Sequence, residues 1–113
     1  MWMKKALIAL TAAAALAGAA PAAQAGAQDG FGRCPGGHMC LWNQMSGNGT
    51  MATFKSGAPD LGKFGVAHIG SFWNRGSRNF CIYKQTNYGE LTMIVEPGMQ
   101  FSSDFWAGSG RVC

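Results

Sequence analysis

Four cysteines, Cys34, Cys40, Cys81 and Cys113, set the tightest bound on what this 113-residue chain can fold into. Two of them open the same local pattern: Cys40-Leu41-Trp42 and Cys81-Ile82-Tyr83 are both cysteine, aliphatic, aromatic, at an offset of 41 residues. The offset persists downstream, where Gly47-Asn48-Gly49 falls on Tyr88-Gly89-Glu90 and Met51-Ala52-Thr53 on Thr92-Met93-Ile94. A period near forty with several short strands in each unit predicts two stacked four-stranded motifs, each covering the apolar face of the other. An even cysteine count in an exported chain reads as two disulfides, with all three connectivities of four cysteines open.

Export is expected from the N-terminus. Lys4 and Lys5 give a short basic start, Ala6 to about Ala20 is an apolar run, Pro21 breaks it, and Ala23-Gln24-Ala25 is a small-x-small cleavage signal. The run is interrupted by Gly18 and is shorter than the ~20 apolar residues a membrane span needs. Residues 1–25 therefore read as a signal peptide, 26–33 as a flexible Gly-rich lead-in, and 34–113 as one domain. Cleavage leaves residues 26–113, 88 in all, enough for one small core that gains from covalent staples. Removal of Lys4 and Lys5 leaves seven basic against five acidic residues, a net +2, scattered without a Lys/Arg stripe. Nucleic acid is not an expected partner, no later segment is apolar enough to span a bilayer, and a secreted monomer is expected.

Along the domain, short apolar or β-branched runs alternate with turn residues. Strands are expected at His38–Asn43, Thr50–Phe54, Ile69–Asn74, Asn79–Tyr83 and Leu91–Val95, with a longer loop over Lys55–Lys63. Turns are expected at Ser46–Gly49, Arg75–Arg78, Thr86–Gly89 and Pro97-Gly98. No window of helical length carries an apolar face at the 3.6-residue period, so the fold class is all-β.

Tyr83-Lys84-Gln85-Thr86-Asn87-Tyr88-Gly89-Glu90 resembles the βγ-crystallin signature: an aromatic, four residues, a second aromatic, one residue, then glycine. In the first repeat Trp42 matches the leading aromatic and Gly49 the glycine, while Gly47 replaces the second aromatic. In the second repeat Glu90 stands where the glycine belongs, and Gly89 is expected to relieve the backbone there. The opening Cys34-Pro35-Gly36-Gly37-His38-Met39-Cys40-Leu41-Trp42, with Trp73-Asn74 leading into Cys81, is similar to the exported bacterial relatives of the Streptomyces metalloproteinase inhibitor. The resemblance covers Cys34 to about Phe101. It implies a βγ-crystallin-like Greek-key sandwich of two motifs, pairing of Cys34 with Cys40 and of Cys81 with Cys113, and inhibition of an extracellular protease of the thermolysin class.

Such proteases prefer a bulky apolar residue just after the scissile bond. The loop Phe64-Gly65-Val66 and the turn at Gly98-Met99 are the expected inhibitory segments, unranked and held rigid as substrate mimics. No cofactor or metal is expected. The stretch aligned with the family's calcium-ligand run, Val66-Ala67-His68-Ile69-Gly70-Ser71, keeps only Ser71, and Ser102-Ser103-Asp104 departs from the pattern. A zinc set of Cys34, His38, Cys40 and His68 competes with disulfides for its thiols. No nucleophile motif or carboxylate pair stands out, so the chain is not expected to be an enzyme. Asn48-Gly49-Thr50 has the letters of a glycosylation sequon but reads as a turn. Of the aromatics, Trp42, Phe72, Trp73, Phe80 and Phe101 are expected in the core, and Phe105-Trp106 is the pair expected outside. Two alternatives accompany the inhibitor reading: a structural or stress-related βγ-crystallin, and a small cell-wall-binding or antimicrobial protein.

Overall fold

The computed structural model describes residues 30–113, so the expected export signal and residues 26–29 lie outside the described residues. Eight strands follow in order: β1 Met39–Trp42, β2 Met51–Phe54, β3 Gly57–Ala58, β4 His68–Asn74, β5 Phe80–Tyr83, β6 Leu91–Val95, β7 Gln100–Trp106 and β8 Ser109–Val112. The helical segments among the described residues are four 3-10 turns. The strands form two four-stranded sheets, β2-β1-β4-β7 and β3-β8-β5-β6, with every ladder antiparallel. The repeat is visible in this order. Each half places three strands in one sheet and sends its third, β3 or β7, to the edge of the other. Neither half closes without its partner.

Alternation along the strands accounts for the core. Met39 and Leu41 of β1, Phe54 of β2, Ile69 and Phe72 of β4, Phe80 and Ile82 of β5 and Val95 of β6 meet between the sheets, all buried. Phe54 and Phe80 stack across the gap at 6.2 Å. Trp42 and Cys40 point the other way, into a second, smaller cluster on the outer face of the first sheet. Phe31, Cys34, Met51 and Trp73 complete it. Cys34 is bonded to Cys40 and Cys81 to Cys113, so one staple closes a short loop and the other ties β8 to β5.

Part of the expected lead-in is packed. Gly30–Arg33 forms a 3-10 turn, Phe31 sits edge-on against Trp42 at 5.3 Å, and Arg33 donates to the carbonyls of Gly47 and Gly49 at 3.0 and 2.7 Å. In the second repeat Tyr83 and Tyr88 make the corresponding edge-on pair at 5.7 Å. Phe31 thus supplies from outside the repeat the aromatic that Gly47 lacks. Gly47 lies against the Phe31 backbone so closely that a Cβ there would overlap it.

Two expectations are corrected. Gly89 does not relieve the backbone of the second hairpin: its φ is −89°, and Glu90 itself adopts the left-handed conformation at +59°, where Gly49 has +78°. A Cβ at Gly89 would press on the end of the flexible Gln85 side chain, which would have to shift. Phe101 lies at the sheet edge and is exposed, since β7 has a neighbour on one side only and its edge-on contact with Phe72 at 6.0 Å covers one flank. The sequence reading also passed over β7 and β8, whose exposed Ser-Ser-Asp and Gly-rich stretches carry no strong strand pattern.

Candidate functional site

The expected inhibitory residues fall into two segments that the fold keeps apart. One joins β3 to β4 and the other joins β6 to β7. Because Trp73 pairs with Gln100 and His68 with Trp106, the segments meet opposite ends of the β4/β7 ladder.

The first segment is a capped turn. The Asp60 carboxylate accepts from the Gly62 amide at 3.0 Å, Leu61–Phe64 is a 3-10 turn, and Gly65 ends it in the left-handed conformation at φ +78°. The Leu61 amide donates to the Gly108 carbonyl at 2.8 Å, and the Ala107 amide donates to Ala67 at 2.8 Å. Leu61 and Val66 are both fully buried and belong to the core between the sheets. Val66 is therefore corrected as a contact residue, because a side chain with no exposed surface cannot enter a protease cleft. The apolar residue this loop shows to solvent is Phe64, 49% exposed and held edge-on by Phe54 at 5.2 Å.

The second segment is a tight turn, Glu96-Pro97-Gly98-Met99. Gly98 is its open tip, with φ +89° and no atom near the place a Cβ would take. The Gly98 amide donates to the Asn74 carbonyl at 2.7 Å, and the Asn74 amide to Met99 at 2.9 Å. The Asn74 side chain, buried, donates to Arg78 and Val95 carbonyls and accepts from the Gly76 amide, each at 2.9 Å. Met99 folds back: it is half-buried against the core, and its sulfur accepts from the Glu96 amide. The turn is rigid, yet it offers a cleft little apolar surface.

The signature residues are structural. Trp42 is fully buried, and Tyr83 and Tyr88 are half-buried beneath Arg111, whose guanidinium lies 4.2 Å from the Tyr88 ring centre. Beside them are two serines whose hairpin-holding role the sequence reading did not identify. Ser71 is buried; its hydroxyl accepts from the Gly47 amide at 2.8 Å and donates to the Gln44 carbonyl at 2.7 Å. Ser109 repeats the arrangement with the Tyr88 amide at 2.8 Å and the Gln85 carbonyl at 2.6 Å. Each serine follows a glycine, Gly70 or Gly108, where a Cβ would overlap the hairpin backbone. The pair Gly-Ser in the fourth strand was the signal available. Ser71, the one residue retained at the calcium-ligand run, is thus committed to holding a hairpin.

A groove of about 480 Å³ opens between the first hairpin and the edge strand β7, lined by Gln44, Met45, Asn48, His68, Ser103 and Asp104 among others. His68 Nε2 and an Asp104 carboxylate oxygen are hydrogen-bonded, and the His68 ring lies 4.9 Å from that of Trp106, which is 71% exposed. Of the zinc set, Cys34 and Cys40 are spent in a disulfide, and the His38 ring contacts the Gly36 carbonyl at 3.0 Å.

Two interlocked four-stranded antiparallel sheets, a folded hairpin over each and two disulfides define an all-β, disulfide-stapled sandwich. The model of peptidase inhibitor family I36, the family of the Streptomyces metalloproteinase inhibitor, matches residues 27–95, and the chain belongs to that family. No curated protein matches the chain. Membership makes the protein a peptidase inhibitor rather than an enzyme, with a protease as its partner. No helix among the described residues is long and apolar enough to cross a membrane.

Proposed function

We propose that the protein is secreted and inhibits extracellular metalloproteases of the thermolysin class, with the loop from Pro59 to Ala67 as the segment that enters the cleft. Phe64 carries this reading. It is a bulky apolar side chain left half in water on a loop whose neighbours Leu61 and Val66 anchor it to the core. The pocket just past the scissile bond of such a protease is built for a side chain of this kind. Because Leu61–Phe64 is a 3-10 turn, the loop would engage by this side chain more than by an extended backbone. Anchoring matters because an ordered loop loses little conformational entropy on binding.

A phenylalanine presents roughly 200 Å² to solvent, so its exposed half represents about 100 Å² and about 2.5 kcal/mol when buried in a pocket. Phe64→Ala should then raise the inhibition constant for thermolysin about 50-fold. Met99→Ala should leave it within about twofold, because little of that side chain meets solvent. Titrating thermolysin and subtilisin with the oxidised protein, wild type and both variants, tests each part. A folded protein that leaves thermolysin untouched removes the class assignment. Full inhibition by Phe64→Ala removes the loop assignment.

A further inference from the structure

We propose that the groove between the first hairpin and β7 binds a neutral saccharide, with Trp106, which adjoins the groove by packing on its lining residue His68, as the platform under a pyranose ring and the groove's amide and hydroxyl side chains as its hydrogen-bonding wall. The groove shares no lining residue with the proposed Pro59–Ala67 loop, which it adjoins at His68, and the proposal does not rest on that loop's assignment.

Trp106 is the most exposed of the large apolar side chains, yet it is held in place. His68 pairs with it across the β4/β7 ladder, its ring packs against the indole, and Asp104 bonds the far side of that imidazole. Facing them, the hairpin wall is fastened as well. The Ser46 amide donates to Ser102 Oγ at 2.9 Å, and Ser71 ties Gly47 and Gln44 to β4. Both walls are therefore formed before any ligand arrives, which lowers the entropic cost of binding.

The sandwich itself does not call for this arrangement. The strand equivalent to β7 in the other sheet, β3, has two residues against seven. The extra length of β7 carries Asp104 and Trp106 alongside the first hairpin, where both side chains remain largely in solvent.

The chemistry selects the ligand. A pyranose has one face of C–H groups, which stacks on an aromatic ring, and a rim of hydroxyls that need paired donors and acceptors. Gln44, Asn48 and Ser103 make no side-chain hydrogen bond to another described residue, and they line the groove beside Asp104. No Lys or Arg lines it, while a carboxylate does. That charge disfavours phosphates, uronic acids and nucleic acid, and leaves neutral sugars. The volume suits a small ligand better than a protein surface, which needs about 800 Å² per partner.

The test is calorimetric titration of the intact oxidised protein with cellotetraose, laminaritetraose and N-acetylated chitotetraose, and sedimentation with insoluble cellulose to separate polymer from free oligosaccharide. Wild type should bind at least one, Trp106→Ala should weaken binding about tenfold or more, and Asp104→Asn should weaken it less. Phe101→Ala, which removes another exposed aromatic of β7 whose ring packs on Phe72 rather than on a groove residue, should bind as wild type. Thermolysin inhibition and thermal unfolding should be unchanged by Trp106→Ala. The proposal is overturned if wild type binds none of the sugars at 10 mM ligand, about the weakest affinity worth a site, or if Trp106→Ala binds as well as wild type. It is equally overturned if Phe101→Ala loses as much, or if Trp106→Ala loses protease inhibition instead, which would make this face part of the protease contact.

Discussion

Replacing Ser71 by alanine should unfold this domain far more readily than the loss of one oxygen atom suggests. The hydroxyl serves two backbone groups at once, the Gly47 amide at 2.8 Å and the Gln44 carbonyl at 2.7 Å, and the residue is fully buried. The amide sits in a buried bond, and leaving it unpaired costs about 1–3 kcal/mol. The carbonyl is partly reachable by water, so its loss adds about 0.5–1 kcal/mol. Ser71→Ala should therefore lose about 1.5–4 kcal/mol, a large share of what a domain of this size has. At about 4–8 °C per kcal/mol, the melting temperature should fall by about 6–32 °C. Ser109→Ala should cost less, about 1–2 kcal/mol, because both of its bonds are partly solvent-accessible. Ser102→Ala is the control: its bond to the Ser46 amide is exposed, so water replaces it and the loss should stay below about 1 kcal/mol. Guanidinium unfolding with both disulfides intact, followed by tryptophan fluorescence and near-ultraviolet circular dichroism, measures all three. A Ser71→Ala loss under about 0.5 kcal/mol, or a Ser102→Ala loss as large, would refute the burial argument.

Glu90→Gly should stabilise the domain by up to about 1 kcal/mol, since Glu90 occupies a left-handed conformation that costs a residue with a Cβ more than glycine; a rise in melting temperature checks it. Phe31→Ala should cost about 3 kcal/mol and let water reach Trp42, seen as a red shift in tryptophan emission. Changing Cys81 and Cys113 together to serine should cost about 3.7 kcal/mol, against about 2.4 for Cys34 and Cys40, because their sequence separations are 32 and 6. Denaturation midpoints of the two double variants should rank in that order.

The local pattern of the chain carried a good deal. Cysteine-aliphatic-aromatic triplets spaced by 41 residues mark β1 and β5, whose bounds in the structure differ by that same 41. The two hairpin turns, Met45–Gly47 and Thr86–Tyr88, keep the offset too. Such features are legible because strand alternation and turn chemistry are properties of neighbouring residues. Phe72 and Phe80 lie inside as expected, whereas of the pair expected outside only Trp106 is exposed and Phe105 packs against the core, and the edge position of Phe101 was not legible either.

What remained was decided by segments meeting across the fold. Val66 and Phe64 are two residues apart and both apolar, and only the docking of the loop, bonded to Gly108 and Ala107, sends one inward and leaves the other half in water against Phe54. Phe31 stands in for an aromatic missing from the first repeat, a substitution between distant positions that no repeat alignment registers. Ser71 and Ser109 perform the same task at an offset of 38 rather than 41, because Ser71 is the fourth residue of β4 and Ser109 the first of β8, although the two strands begin 41 residues apart. Side-chain periodicity is set by the backbone geometry of each strand and can be read locally. Which faces are covered, and by what, depends on loop lengths and on the pairing of distant strands, and those are settled only when the two halves close on one another.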